Sequence, residues 1–318
     1  MIGKLSSIKE PLLSICIPTY NQPEAFSRIL ESLLPQLTSD IEIVVRDDST
    51  NDETKKIVSH YINSVSIRYF SGKKEGLDVA VAFLVKEAKG KFVWWFGNEV
   101  FTPGGVIKVV GTLKKYPNID FLYVNSASIN GGISINLGVS RFFKDKNEVI
   151  EKLADLLGFI SAVIFKRTDA LSGIEGSNKF IGSAWVNLYL VLHSIAASRH
   201  PYFLSDVCFL SDPKDPEEKL WYDRFQVFAV NFPMVVHKFD GEFDRNSIRA
   251  MLSKNFKSVW KGILVHRARN YKSSLGSSAP KIWPIAKFYW NFPDFWLALP
   301  FLIMPRFALI FFYGLWKR

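Results

Sequence analysis

Four short polar clusters, each following an apolar run, are where this chain could do chemistry. Pro18-Thr19-Tyr20-Asn21 closes the run Leu12 to Ile17, and Arg46-Asp47-Asp48 closes Ile41 to Val45. Glu75-Gly76-Leu77-Asp78 comes after Val65 to Phe70, and Gly97-Asn98-Glu99 closes Lys91 to Phe96. Carboxylates and side-chain amides at such ends can accept from a base N–H or a hydroxyl. Their oxygens also suit Mg2+ or Mn2+. Local structure has its own use for some of these groups. Asp47, Ser49, Thr50 and Asp52 have the chemistry of a turn and a helix cap, and Asn98-Glu99 that of an ordinary loop. Taken together, the acidic turns fit a ligand that carries hydroxyls, a base edge or a metal.

The elements that must position these clusters alternate strand and helix. The strands Leu12–Ile17, Ile41–Val45, Val65–Phe70 and Lys91–Phe96 are separated by three helical patterns. The first, Pro23–Leu37, carries Phe26, Ile29, Leu30, Leu33 and Leu34 at helical spacing. The second is Asp52–Ile62, and the third, Leu77–Ala88, stops at Gly90. This βαβαβαβ order predicts a mostly parallel sheet with flanking helices, and open α/β sheets bind ligands beyond the carboxyl ends of their strands. No G-x-G-x-x-G follows the first strand, which disfavours a dinucleotide-binding dehydrogenase. Farther on, strands are expected at Phe121–Val124 and Ile160–Phe165, a helix over Ile181–Ala197, and a polar break at Pro213–Glu218.

The pairing of Pro18-Thr19-Tyr20-Asn21 with Asp47-Asp48-Ser49-Thr50-Asn51-Asp52 resembles the donor-binding half of family 2 glycosyltransferases, and the likeness continues through Glu75–Asp78 to Gly104. Gly158-Phe159-Ile160-Ser161 and Phe180-Ile181-Gly182 resemble the abequosyltransferase-like subgroup of O-antigen synthesis. The resemblance implies a GT-A fold and a nucleotide-diphosphate sugar donor. It implies that Pro18, Tyr20 and Asn21 line the nucleotide site, and that Asp47 or Asp48 accepts from the base N–H. Gly76 and Asp78 would lie near base and ribose. Asn98 and Glu99 stand where the family has a D-x-D element that holds a divalent metal, Mg2+ or Mn2+, against the diphosphate.

Two departures from the family pattern matter. Residues 97–99 keep one carboxylate, Glu99, where two or three are common, so a metal is expected to bind more weakly. Gly182-Ser183-Ala184-Trp185 stands where many members carry an E-D pair that supplies the general base. Glu175 and Asp169 are then the candidate bases, with no physical ground for choosing between them. His237 reads as a structural histidine rather than a metal ligand.

The 318 residues are 48% hydrophobic and 22% charged, enough for a packed core, and the net charge of +10 calls for an anionic partner. That partner could be a nucleic acid, a phosphorylated substrate or an acidic lipid surface. Cys16 and Cys208 form no disulfide framework or CxxC pattern, and Met1–Glu10 lacks an export-type apolar stretch. A cytoplasmic setting is expected. The region 245–272 holds eight Lys/Arg and no Asp/Glu, with Ile248, Leu252, Phe256, Val259 and Ile263 at helical spacing. It reads as a basic amphipathic helix. Ser273–Ala279 reads as a linker.

Ile282–Trp316 is dense in Trp, Phe, Leu and Ile. Phe295–Trp316 is long enough to span a bilayer, but Pro300, Pro305 and Arg306 oppose spanning. Two short helices lying in the interface are expected instead, with Lys287, Arg306, Lys317 and Arg318 meeting lipid phosphates.

The organisation expected is a donor half at 1–110, an acceptor half at 111–240, a basic helix at 241–272 and a membrane-associating segment at 273–318. The expected function is transfer of a sugar to a polyprenyl-diphosphate-linked saccharide in bacterial surface polysaccharide or O-antigen synthesis, at the cytoplasmic face of the inner membrane. A non-catalytic scaffold of a glycan-assembly complex is the rival reading, motivated by the missing carboxylates. Nucleic-acid binding rests only on net charge and the 245–272 helix and is not expected.

Overall fold

The apolar runs pair into one nine-stranded sheet of mixed direction. The structure is a computed structural model that describes residues 10–61, 65–211, 225–269, 282–305 and 307–310. Its first half is β1 (Leu13–Thr19), α1 (Pro23–Leu33), β2 (Ile41–Asp47), α2 (Glu53–Ser59), β3 (Ile67–Ser71), α3 (Leu77–Glu87) and β4 (Phe92–Trp95). β1 pairs in parallel with β2 and β4, and β2 with β3. Leu13, Ile15, Cys16 and Ile17 are all buried, as expected for a parallel strand covered on both faces.

The second half adds β5 (Val100–Phe101), α4 (Gly105–Lys115), β6 (Phe121–Ser128), β7 (Arg141–Phe142), α5 (Lys146–Leu153), β8 (Val163–Lys166), α6 (Arg167–Ser177), α7 (Val186–Ala197) and β9 (Pro201–Ser211). The strand order is β3-β2-β1-β4-β8-β6-β9-β5, with β7 against β9. β8 runs antiparallel to both β4 and β6, and β9 runs parallel to β6. Two reversals restore direction, so β1, β2, β4, β6 and β9 all end at the same edge. Trp94, Phe96, Phe101 and Phe209 pack edge-to-face or stacked where the halves meet.

Several elements differ from the expected bounds for local reasons. Pro35 ends α1 early, in a 3-10 turn over Leu34–Gln36. The strand expected from Ile160 begins at Val163 because Ile160–Ala162 form a 3-10 turn. The helix expected from Ile181 begins at Val186, because Gly182 and Ala184 take φ of +88° and +65°. β5 and β9 were not anticipated.

After β9 come a π-helical segment (Phe225–Asn231), α8 (Phe232–Val236), α9 (Arg245–Arg269), α10 (Ile282–Tyr289) and α11 (Pro293–Ile303). α9 buries Ile248, Met251, Leu252 and Phe256, so the basic helix packs on the domain through its apolar stripe. Among the described residues, no helix is long and apolar enough to cross a membrane. The polar break at 213–218, the linker at 273–279, Arg306 and residues 311–318 lie outside the described residues.

Candidate active site

The ends of β1 and β2 are laced together by side chains. Asn21, at φ +51°, donates its backbone N–H to Ser49 Oγ at 2.8 Å. Its Oδ1 accepts from Thr50 N at 2.9 Å and from Thr50 Oγ1 at 3.2 Å. The two adjacent aspartates then divide. Asp47 Oδ1 accepts from Ser49 N at 2.9 Å and Oδ2 from the Tyr69 hydroxyl at 2.7 Å. Burial and the Asp47 carboxylate together push the Tyr69 phenol up. Asp48 accepts from Arg46 Nε at 2.6 Å through Oδ1, and Arg46 Nη2 reaches Glu75 at 3.0 Å. The guanidinium lies 4.6 Å from the centre of the Phe83 ring. A Cβ on Gly72 would fall 2.0 Å from Arg46 Nη2, so glycine there makes room for the arginine.

Tyr20 sits beside this cluster, with Lys74 Nζ 4.5 Å from its ring centre. Pro18 and Gly76 belong to the same edge, Pro18 in β1 opposite Arg46 and Gly76 preceding α3 at φ +89°. Asp78 follows in the first turn of α3. It is only 5% exposed, and its two oxygens accept from Gly182 N at 2.8 Å, Ala184 N at 2.9 Å and Val186 N at 3.0 Å. Its carboxylate is therefore committed to the turn that opens α7. Burial pushes the Asp78 carboxyl up, and the backbone N–H groups pull against it.

At the end of β4, Ser161 Oγ donates to Glu99 Oε2 and accepts from Gly97 N at 3.0 Å. Trp94 Nε1 holds the Ser161 carbonyl at 2.7 Å, which fixes the turn carrying the serine. Burial pushes the Glu99 carboxyl up. Asn98 is exposed. Among the described residues no cluster of three or more His, Cys, Asp or Glu could hold a metal ion. Mg2+ sites commonly use one or two carboxylates plus substrate phosphates. Glu99 with Asn98 fits that arrangement, a cation shared with a diphosphate, and not a cage built by the protein alone.

The candidate bases separate by edge. Arg167 N donates to the Lys91 carbonyl, so Asp169, in the first turn of α6, lies at the entry end of β4. That edge is opposite the one where Glu99 and the ends of β1 and β2 lie. Glu175 is exposed near the end of α6. Glu99 stands at the site edge itself. His237 pairs with Asp240 at 3.0 Å and stacks on Phe288.

Sequence reasoning missed Arg46 and Ser161 as partners of the acidic groups. Arg46 had a signal, since a cation directly before two aspartates in a buried strand needs a partner. The turn 182–185 is held from its other side by Asn231 Nδ2, which donates to the Ser183 carbonyl at 2.9 Å. Trp185 Nε1 likewise donates to the Val227 carbonyl at 2.6 Å.

Residues 14–167 match the model described as Glycosyl transferase family 2. The chain is 30% identical over 122 residues to the chondroitin synthase of Escherichia coli, across 38% of this chain and 18% of that protein. It is also 30% identical over 231 residues to the uncharacterized glycosyltransferase RC0461 of Rickettsia conorii, across 71% of this chain and 33% of that protein. The chain spans between 18% and 36% of the length of the first curated relatives it matches.

Among solved structures, S. aureus TarS 1-349 in complex with UDP-GlcNAc superimposes with a TM-score of 0.69 at 13% identity, covering 95% of this chain and 91% of that one. The mannosyltransferase PcManGT from Pyrobaculum calidifontis, in complex with GDP-Man and Mn2+, gives 0.51 at 12% identity, covering 97% and 88%. At these identities the structures speak for the fold alone. The fold is the mixed α/β, GT-A-like architecture that these structures share. Residues 14–167, just under half of the chain, are the part that resembles that family.

Proposed function

We propose that the protein transfers a sugar from a nucleotide-diphosphate sugar to a saccharide carried on a polyprenyl diphosphate, in the assembly of a bacterial surface polysaccharide such as O-antigen, at the cytoplasmic face of the inner membrane. The observation that carries the donor side is the convergence of Tyr20, Asn21, Asp48 and Glu99 at one edge of the sheet, within the family 2 domain. Asp48 uses one oxygen for Arg46 and keeps the other for a base N–H. Arg46 holds the Asp48 side chain in place for that contact.

Pro18 and Tyr20 supply the apolar wall of the nucleotide site, and Lys74 gives way from the Tyr20 ring as the base arrives. Ser161 orients Glu99 and Gly97 leaves room for it, since a Cβ there would lie 3.0 Å from Glu99 Oε2. A divalent cation bound by Glu99 and Asn98 would neutralise charge on the departing diphosphate. The turn 182–186, anchored by Asp78, faces the acceptor.

Transfer is tested by incubating purified protein with labelled nucleotide sugars and a polyprenyl-diphosphate saccharide, and following label into the lipid phase. Transfer from one donor, reduced at least tenfold by Glu99→Ala, is expected. No transfer from any donor, with the protein still binding partner proteins of a glycan-assembly complex, would favour the scaffold reading.

A further inference from the structure

The C-terminal helices leave large apolar side chains in solvent after their own packing is complete. Ile285, Tyr289, Phe295, Ala298 and Leu302 face inward and are buried. On the outside, Trp283 is 85% exposed, Phe307 78% and Leu297 68%, with Trp290, Trp296 and Ile303 also exposed. Patches of this kind on a folded surface mark interaction sites.

The charge beside the patch has one sign. From Arg245 to Lys261, α9 carries Arg245, Arg249, Lys254, Lys257 and Lys261 and no acid. Lys261 and Lys287 are exposed. Asp294 is the one acid between 282 and 310, and Lys257 already lies 3.5 Å from it.

Hydrogen bonds fix which end of the molecule the patch occupies. α5 climbs from β7 to the turns that hold Ser161 beside Gly97, so it runs toward the site edge. α9 follows it in the same direction. Asp244 N meets Asn147 at 3.0 Å, Ser247 Oγ meets Glu151 at 3.2 Å, and Lys254 Nζ meets the Glu151 carbonyl at 2.6 Å. Residues 255–269 then carry the helix about 20 Å further, at 1.5 Å per residue. α11 runs beside α9 in the same sense, from Asp294 near Ser253 to Phe301 stacked on Trp260 at 6.3 Å. The exposed Ile303 and Phe307 therefore lie at the end of the molecule that carries the donor site.

We propose that α10, α11 and residues 307–310 form an interfacial anchor for an anionic bilayer, which seats the protein with the site edge toward the lipid surface. The aromatic and aliphatic side chains enter the headgroup boundary while the α9 cations and Lys287 meet lipid phosphates. This inference rests on the membrane setting of the proposed function and adds the residues and the orientation to it. A second copy of the chain is the competing occupant of the patch.

The test uses the full-length protein and vesicles of neutral lipid with or without 30% anionic lipid, a composition chosen for a surface potential that salt can screen. Expected results are flotation with anionic vesicles, weakened by salt, and at least tenfold weaker partition for Trp283→Glu/Leu297→Glu/Phe307→Glu. The surface pair Lys257→Gln/Lys261→Gln should weaken binding to anionic vesicles only, which guards against misfolding of the triple variant. Dyes on Asn130→Cys, at the end of β6 on the site edge, and on Arg199→Cys, at the opposite edge, report orientation by energy transfer to a lipid probe. The Asn130 dye should be the closer.

No flotation of the wild type, equal transfer from both dyes, or a dimer that the triple variant dissolves would overturn the anchor. Nucleotide binding is measured on the same samples. Its loss with flotation intact counts against the donor site, and flotation lost with binding intact counts against the anchor.

Discussion

Asp47 and Asp48 are neighbours in sequence with different work to do. Asp47 closes a local network with Ser49 and Tyr69, whereas Asp48 is set by Arg46. Asp47→Ala would strand the Tyr69 hydroxyl and the Ser49 N–H, costing about 1–3 kcal/mol in urea unfolding, with a smaller effect on nucleotide affinity. Asp48→Ala should weaken nucleotide binding at least tenfold in calorimetry. Equal losses of affinity from both would erase the division. Asp78→Ala leaves three backbone N–H groups at the start of α7 without their acceptor, and about 3 kcal/mol of stability should be lost. Asp78→Asn keeps an acceptor oxygen and should recover part of that loss. The residue types at the site were legible in the sequence, but their partners were not. Asp78 and Gly182 are 104 residues apart, and no periodicity announces that bond.

At the scale of elements, strand and helix were legible through the first 90 residues, where burial imposes the period that sequence patterning reads, but α4, α5, α6 and β9 were not anticipated. The misreadings fall at turns whose shape is set from outside. Gly158 is one such place, since a Cβ there would lie 2.6 Å from the Trp185 ring. Gly158→Ala should destabilise by about 1–3 kcal/mol in urea unfolding through overpacking against a ring that Val227 and Phe232 hold in place. A thermally silent Gly158→Ala would show that the ring can move. The start of α5 carries a pH dependence. Asp145 caps it, and Glu148 accepts from Arg141 at 2.7 Å and Lys144 N at 2.6 Å. Arg141 holds the Glu148 carboxyl below the usual glutamate range. Its contribution is therefore present above the ordinary glutamate pKa and is lost as pH falls through the lowered folded value. Glu148→Gln should flatten the acid limb of the stability–pH curve in that window, and an unchanged limb would count against the pair.

For the whole molecule, the order βαβαβαβ predicted the parallel strands β1 to β4 and the edge at which they end, since parallel strands joined by helices have few ways to pack. The second half was less legible. Inserting β8 antiparallel between β4 and β6 depends on long-range pairing, and β9 is recruited across the sheet to β6 and β5. The same topology brings the ends of β1, β2 and β4, the turn 182–186 and the exposed Ile303 and Phe307 to one end. Vesicle partition that falls with salt, and does so less for Lys257→Gln/Lys261→Gln, is the outcome expected at this scale. The central claim is that this edge binds a nucleotide diphosphate. Calorimetric titration with UDP, GDP, CDP and dTDP, each with and without Mn2+, tests it directly. One nucleotide should bind, more tightly with Mn2+, and Asp48→Ala and Glu99→Ala should both weaken it. Absence of binding by all four under both conditions would contradict the account.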